Sequence, residues 1–419
     1  NGRSLAGLRR LAGDWLPDAG PFRLSTTLRG GPTALNLDDL VLQWGRSDLS
    51  GGIVLNLDGA RPRLNAGLDG KRLDLRELLP EAETAPAEAE DARVFSDEAL
   101  DFEGLKAIDA KLELTLGELV LPGFSVQDMV MSLDLEDGAL SVRPLGLTIA
   151  GSRLASVIGI DAGTATPTVA LEVKSQQVDL GRLLAAFDAG DLLEGTASVD
   201  ISLEGQGSSV AQVMAGLQGH TRLLMGEGRA RTDSFDLLVG GLSQVMGTLF
   251  AKKSEWTVVN CMASDFVIDQ GVASSQILLA DSEHVTVVGE GDIDLGEETL
   301  DLKVSPRSKS PTLNISVPVN VRGTLAEPSF TPDKASVARK IGGVLGAAIF
   351  PPAAILGLGE MGSSDNPCLN LATSVGSQTQ GMPKSEKRSV VDKAGGAVKD
   401  AIEGVGAGIG RGLQRLFGN

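Results

Sequence analysis

A strict alternation of aliphatic and polar residues is the feature that most constrains the fold of this chain. It is clearest in PTLNISVPVNVRG, residues 311–323, and it recurs in residues 111–116, 197–203 and 299–304. Successive side chains of an extended strand point to opposite faces, so the aliphatic residues of each run share one face. The predicted members of that face are Leu112, Leu114, Leu116, Val199, Ile201, Leu203, Leu300, Leu302, Val304, Leu313, Ile315, Val317, Val319 and Val321. Such a face covers either a dry protein core or a groove for an apolar ligand, and the alternation alone leaves both open.

The composition narrows the choice of interior and of partner. Aromatic residues make up only 3% of the 419 residues and tyrosine is absent, so leucine, valine and isoleucine must line any interior. The net charge of −18 argues against a nucleic-acid-binding protein, because such proteins need basic patches that displace counterions. We therefore expect a folded chain with an aliphatic interior and no nucleic-acid partner.

Two segments of the chain resemble each other at a constant offset. Residues 47–79 and 152–184 align without a gap, so that Asp179, for example, lies 105 positions after Asp74. Both are predicted to be strand–turn–strand units, and such repeats indicate an extended, stacked architecture. Asp-Gly pairs, which suit tight hairpin turns, occur at 58–59, 69–70 and 137–138. The pattern predicts a long antiparallel meander.

Helices are predicted at few places. Residues 208–218 begin at a serine N-cap and stop before Gly219, and residues 234–250 carry apolar residues at helical spacing.

The predicted organisation is a first β repeat unit at 1–79, a Pro/Ala/Glu linker at 80–99, a second β repeat unit at 100–187, a C-terminal β region at 188–335 that contains both helices, an apolar helical hairpin at 336–372, a linker at 373–388 and an amphipathic helix at 389–419.

The last part of the chain has an unusual pattern. Residues 341–359 are nearly uncharged and approach the length of a membrane span, but Pro351 and Pro352 interrupt them. They are interpreted as two short apolar helices, or as a plug on the open end of the sheet. The final helix is Gly-rich and flanked by cations, so it either lies on a membrane surface or covers an apolar edge of its own protein.

Motifs for catalysis or metal binding are lacking. The chain has two histidines, His220 and His284, and neither belongs to a zinc or nucleophile motif. The acidic stretch GEGDIDLGEETLDL at 289–302 lacks the ligand spacing of a calcium loop, so it is interpreted as a hairpin with a solvated acidic turn. We predict no enzymatic activity, no cofactor and no metal.

Several motifs carry a resemblance to a known family. They are the repeat endings RLDLRELL and QVDLGRLL, the stretch LEGTASVDISLEGQGSSVAQVMAGLQG, and the series VVNCMASDFVIDQGVA, VTVVGEGDIDLGEETLDLKVSP and VPVNVRGTLAEPSFTPD. Together they resemble the AsmA family of bacterial envelope proteins, in particular its C-terminal region. The resemblance covers residues 15–370, and the block 193–335 is its most specific part because order, spacing and residue type coincide there.

The resemblance implies a bridge-like lipid-transfer protein of the periplasm. In that family a curved sheet carries phospholipid acyl chains between the inner and outer membranes, which serves outer-membrane biogenesis. An inner-membrane anchor is implied too, and we expect it to lie outside these 419 residues. The final helix is the candidate contact with the outer membrane, and we expect a monomer. The alternative function is a scaffold that assembles outer-membrane proteins through protein–protein contacts such as edge pairing.

The residue alternation and the family resemblance lead to the same fold prediction. About twenty strands at ~4.8 Å spacing would extend about 100 Å, and open sheets of that length seldom persist unless they curl. We predict a mainly β protein whose long, curved antiparallel sheet forms an apolar trough, with a few amphipathic helices and a helical C-terminus. The two cysteines alone fit either separate buried thiols or one disulfide. The resemblance implies a disulfide between Cys261 and Cys368.

Overall fold

A computed structural model describes most of the first 333 residues of the chain. The described residues are Gly2, Ser4, 20–76, 93–187, 190–232, 255–283, 285–309, 318–333 and Cys368. Several predicted features lie outside them: the helix at 234–250, the hairpin at 336–372 apart from Cys368, the linker at 373–388, the helix at 389–419, and Leu313, Ile315 and Val317.

Strands dominate the described residues, in which seventeen strands form one sheet and three short helices accompany it. The strands are β1 (Phe22–Gly30), β2 (Ala34–Trp44), β3 (Ser47–Asn56), β4 (Arg63–Asp74), β5 (Asp109–Val120), β6 (Ser125–Glu136), β7 (Ala139–Ile149), β8 (Ser152–Asp161), β9 (Thr168–Asp179), β10 (Leu193–Gln206), β11 (Gln218–Arg231), β12 (Trp256–Asp269), β13 (Val272–Ser282), β14 (Val285–Asp294), β15 (Thr299–Ser308), β16 (Val319–Thr324) and β17 (Pro328–Pro332). The helices are α1 (Glu103–Ala107), α2 (Leu180–Ala186) and α3 (Val210–Ala215).

Every strand pairs with the next strand in the chain, so the sheet runs in order from β1 to β17. At about 4.8 Å per strand the seventeen strands extend over roughly 75 Å. The sheet is long, open and curved, which confirms the predicted fold class. One pair departs from the antiparallel prediction, because β4 and β5 are parallel. The chain between them returns so that Asp109 starts β5 beside Arg63, and such a return is what a parallel pair requires.

The offset of 105 residues relates three strands in each half of the sheet. The limits of β7, β8 and β9 lie 105 positions after those of β2, β3 and β4. A local hydrogen bond repeats as well: the Asp74 N–H donates to Ser47 Oγ at 2.9 Å, and the Asp179 N–H donates to Ser152 Oγ at 2.9 Å. The two repeats therefore share geometry that extends one strand upstream of the aligned sequences.

The predicted Asp-Gly turns have different outcomes. Asp137 and Gly138 form the two-residue turn between β6 and β7, with φ of 55° and 83°, and the pair at 58–59 lies between β3 and β4. The pair at 69–70 is not a turn, because it lies inside β4. A Cβ at Gly70 would lie 2.5 Å from the Asp48 carbonyl oxygen, so this glycine permits a close approach of two strands.

The predicted helix at 208–218 is shorter in the structure. In α3, Ser209 Oγ accepts from the Gln212 N–H at 3.2 Å, and the helix ends at Ala215 with Gly216 as its C-cap. Helix α2 was not predicted. Its N-cap is Asp179, whose side chain accepts from the Arg182 N–H at 3.0 Å. Both helices lie at strand ends, where the chain reverses direction.

The segment before β5 is fastened to the turn between β14 and β15. Glu298 is only 4% exposed, and its carboxylate accepts from the Val94 and Phe95 N–H groups at 2.6 and 3.2 Å and from Arg93 Nε at 3.0 Å. The prediction of a solvated acidic turn is therefore wrong for Glu298, because a distant segment covers it. Burial alone would raise the pKa of Glu298, but the hydrogen bonds from Val94, Phe95 and Arg93 lower it.

Protonation of Glu298 is expected to release residues 93–95. Because the folded-state pKa lies below the ordinary value of 4.5, the carboxylate contributes stability above about pH 4.5 that is lost as the pH falls through the depressed value. Hydrogen exchange of the Val94 and Phe95 amides, corrected for intrinsic rates, should accelerate over this range. Glu298→Gln should expose both amides at neutral pH, whereas Glu297→Gln, at an exposed position of the same turn, should not. Equal exchange in both variants would contradict the assignment.

Candidate functional site: an apolar face across the sheet

One continuous row of directly opposed residues crosses the sheet from β1 to β17. We call the face that carries this row the apolar face, and the opposite one the polar face. The row consists of Leu28, Leu37, Ile53, Ala66, Leu112, Leu133, Val142, Ile158, Leu171, Leu203, Gly219, Ile268, Ala273, Ile293, Leu300, Gly323 and Pro328. It contains no charged residue. Because opposed residues of neighbouring strands point to the same side, the row defines an uninterrupted apolar surface.

The structure places the described groove candidates on this face. Leu112, Leu203 and Leu300 belong to the row itself, and the other described candidates lie two or four residues from it on the same strands. Four candidates are buried: Leu116, Val304, Val319 and Val321. Seven keep part of their surface open to solvent: Leu112, Leu114, Val199, Ile201, Leu203, Leu300 and Leu302. The assignment of these residues to a lipid groove stays a prediction, but the register brings them together.

Charged side chains alternate onto the polar face. Opposed pairs there include Lys111 with Asp134, whose closest N–O distance is 3.3 Å, and Asp301 with Arg322, at 2.8 Å. These pairs are exposed, so each contributes little to stability. Their effect is to hydrate one side of the sheet, while the row of opposed residues on the other side carries no charge.

Two apolar clusters border the apolar face at opposite strand ends. Beside α2, a buried cluster combines Leu180 of the helix with Val178, Ala197 and Met225 of three adjacent strands. Beside α3, Met214 packs against a second cluster, whose buried members are Leu217, Ile268 and Ala273. The helices therefore cover strand ends, while aliphatic residues of the middle, such as those of β5 and β10, remain half-buried.

The two cysteines are joined on the polar face. Cys261 and Cys368 lie 107 positions apart and form a disulfide with a Cα–Cα distance of 6.2 Å. Cys261 lies opposite Asp281 in the register of β12 and β13. Together with Cys368 it packs on apolar residues of this face, which are Ala263, Leu279, Leu224, Ile277 and Val288. The bond therefore attaches the C-terminal part of the chain to the side that faces away from the apolar surface.

Asp281 is a buried carboxylate beside this disulfide. It is 2% exposed, and it accepts hydrogen bonds from Asn260 Nδ2 and Lys309 Nζ, both at 2.8 Å, and from the Thr286 hydroxyl. Burial alone would raise the pKa of Asp281, but these donors lower it. These three partners come from β12, from β14 and from the residue that follows β15, so the carboxylate ties these strands together.

A group of arginines that no sequence motif indicated lies where β2 and β4 end and β3 begins. Asp74 accepts from Arg76 Nε at 2.9 Å and Nη2 at 2.6 Å, while nitrogens of Arg46 and Arg72 each lie 3.6 Å from its Oδ2. The hydrogen bonds from Arg76 are the main reason why the pKa of Asp74 lies far below its usual range. Trp44, on the apolar face, borders the group. The repeat aligned Asp74 with Asp179, but no spacing in it marks the arginines as a group.

Among the described residues, no three His, Cys, Asp or Glu side chains converge in the manner of a metal site. His220 lies on the polar face, where its Nε2 is 3.8 Å from Asp200 Oδ1, and His284 lies outside the described residues. None of the helices that the structure describes has the length and hydropathy of a membrane span.

Comparison with known proteins gives a consistent result. The AsmA family model matches residues 23–278. "AsmA family protein YhjG" of Escherichia coli (strain K12) is 24% identical over 392 residues, which cover 85% of this chain and 56% of that protein. "Protein AsmA" of the same organism is 21% identical over 289 residues, which cover 65% of this chain and 47% of that protein. The chain thus spans about half the length of these curated relatives. No solved structure is significantly similar.

Proposed function

Because this chain belongs to the AsmA family, whose proteins are associated with the cell envelope and are not known enzymes, we propose that its apolar face carries phospholipid acyl chains between the inner and outer membranes. The observation that supports this proposal is the row of opposed apolar residues that crosses all seventeen strands without a charge. A scaffold would need apolar patches only where it contacts its partners, whereas a lipid path needs them along its whole length.

The chemistry of the face suits fluid acyl chains. Burying one lipid methylene stabilises the complex by about 0.8 kcal/mol, and this attraction is not directional. An aliphatic wall therefore holds a chain at every step along the sheet without fixing it at any one of them. Residues such as Val199 and Leu302 are half-buried, so their remaining apolar surface is available to a ligand. The lining role of Leu313, Ile315 and Val317 belongs to the same proposal.

The proposed location is the periplasm, with attachment to the inner membrane. The disulfide between Cys261 and Cys368 supports this location, because such bonds persist in oxidising compartments. We further propose that the C-terminal helix contacts the outer membrane. The protein is proposed to act as a monomer and to have no nucleic-acid partner.

Lipid retained by the purified chain tests the proposal directly. We expect mass spectrometry of the protein, isolated from a bacterial periplasm under mild conditions, to detect several phospholipids per chain with little headgroup preference. A structured β protein of similar acidity, purified in parallel, controls for lipid carried over from membranes. A folded chain without bound lipid would contradict the proposal and favour the scaffold function.

A further inference from the structure

A cavity of about 290 Å³ lies where the turn between β2 and β3 meets the end of β4. Its lining residues are Trp44, Gly45, Arg46, Ser47, Asp74 and Arg76. Trp44 belongs to the apolar face, where it packs with Phe22 and with leucines of β1 to β4. The cavity therefore adjoins the apolar face on one side and a group of guanidinium groups on the other.

The charges around the cavity favour an anion. Three arginines lie around one buried carboxylate, that of Asp74. Both oxygens of Asp74 already accept hydrogen bonds from Arg76. Arg72 has a second partner in Glu118. The Arg46 guanidinium is 3.6 Å from Asp74, which exceeds hydrogen-bond distance, and its side chain is 70% exposed. Arg46 therefore adds a positive charge that Asp74 neutralises only from beyond hydrogen-bond distance.

A buried donor beside the cavity lacks an acceptor. Trp44 is only 5% exposed, and its indole Nε1 has no hydrogen-bond partner within the described structure. Buried indole N–H groups usually find an acceptor, and leaving one unmet costs free energy. An acceptor that enters at this wall would remove that cost.

We propose that this cavity binds the phosphate group of a phospholipid whose acyl chains lie on the adjoining apolar face. The inference rests on the proposed function. A guanidinium offers paired donors that match the oxygens of a phosphate, and the indole N–H adds a further donor. The apolar surface that begins at Trp44 then receives the acyl chains. The site lies near the β1 edge of the sheet, so it would orient lipids at one end of the path.

The second repeat supplies a comparison within the molecule. Ile149 and Gly151 occupy the positions that correspond to Trp44 and Arg46, while Ser152 and Asp179 retain the local hydrogen bond. An arginine is also present there, since Arg182 Nε lies 3.4 Å from Asp179 Oδ2 and its side chain is 72% exposed. Because the indole and the second cation are missing, this place should not bind phosphate. Arg182→Gln is therefore a matched control.

The test follows indole N–H signals by NMR in the full 419-residue chain with labelled tryptophan, whose three residues are Trp15, Trp44 and Trp256. The probes are dihexanoylphosphatidylglycerol, dihexanoylglycerol and inorganic phosphate. We expect the phospholipid to shift the Trp44 signal, which Trp44→Phe identifies by its loss. Arg46→Gln should weaken phospholipid binding about tenfold, as expected for a lost hydrogen bond to a charged group. Trp44→Phe should weaken it to a similar extent, and because this variant lacks the indole signal, its binding is measured by calorimetry. Arg182→Gln should leave binding unchanged.

The outcomes separate the inference from the function on which it rests. If both lipids bind equally well and Arg46→Gln changes neither, the apolar face holds lipid but the cavity does not recognise phosphate, and the inference fails alone. If inorganic phosphate binds as tightly as the phospholipid, the site serves free phosphate and the lipid assignment fails. If neither lipid binds at all, the proposed function fails, and with it the lipid site.

Discussion

Ile201→Asp is expected to stop lipid transfer while the sheet still forms. Ile201 lies in the middle of β10, half-buried on the apolar face, opposite Val173 and Thr221. Any acyl chain that moves between β1 and β17 must pass β10. A carboxylate there must either lose its hydration or hold water in the path, and each costs several kcal/mol in an apolar environment. We therefore expect the transfer rate to fall at least tenfold, since about 1.4 kcal/mol corresponds to a factor of ten.

The neighbouring residue provides the matched control. Ser202 occupies the polar face of the same strand, opposite Glu172 and His220, so Ser202→Asp adds the same charge to β10 on the other side. Transfer of a fluorescent phospholipid between two vesicle populations is the measurement, with circular dichroism to verify the fold. We expect Ser202→Asp to match the unmodified chain. If Ile201→Asp unfolds, the neutral variant Ile201→Asn takes its place. Normal transfer by a folded Ile201 variant would contradict the proposal that acyl chains move along the apolar face, and it would favour the scaffold function.

The alternation of residues predicted the sheet because its information is local. A period of two identifies the face of a strand from five or six residues, and this sufficed for β5, β10 and β15, whose predicted aliphatic residues all lie on one face. The absence of charge on that face was visible for the same reason. Joining the separate runs into one surface required the register, which the sequence did not provide.

The features that the sequence missed depend on distant contacts. The acidic neighbours of Glu298 in the sequence predict a solvated side chain. In the structure, Val94 and Phe95, about two hundred positions away, bury it. Likewise Asp69 and Gly70 have the residue types of a turn, but the approach of Asp48 makes them part of a strand. Helix α2 follows β9 without a break, so its leucines continue the pattern of the strand.

The phosphate cavity shows the same limit at a candidate site. Trp44 and Arg46 come from one turn, whereas Asp74 and Arg76 come from the end of β4. No spacing in the sequence marks them as a group, since the pairing of β3 with β4 brings them together. The apolar face could be predicted because its pattern repeats from strand to strand, but the cavity occurs at one place and depends on one register.

Loss of the disulfide is expected to loosen one end of the sheet selectively. In a sheet where each strand pairs only with its chain neighbours, stability is set locally, as in other repetitive architectures. The bond between Cys261 and Cys368 closes a loop of about 100 residues, for which chain entropy predicts a stabilisation of about 5 kcal/mol. Disulfides typically stabilise a fold by about 2–4 kcal/mol, so a hundredfold faster amide exchange is the expected scale.

The variant Cys261→Ala/Cys368→Ala tests this expectation, with hydrogen exchange measured strand by strand. We expect faster exchange in β12, β13 and β14, where Cys261 and the buried Asp281 with its partners lie, and unchanged exchange in β2, β3 and β4. Reductant should reproduce the effect in the unmodified chain and have none on the variant. A uniform change over the whole sheet would show that the strands unfold together, and no change at all would show that the bond only tethers the C-terminal part. A local response instead means that the apolar face can stay intact at its β1 end while the other end opens, because the strands beside the disulfide do not pair with β2, β3 or β4.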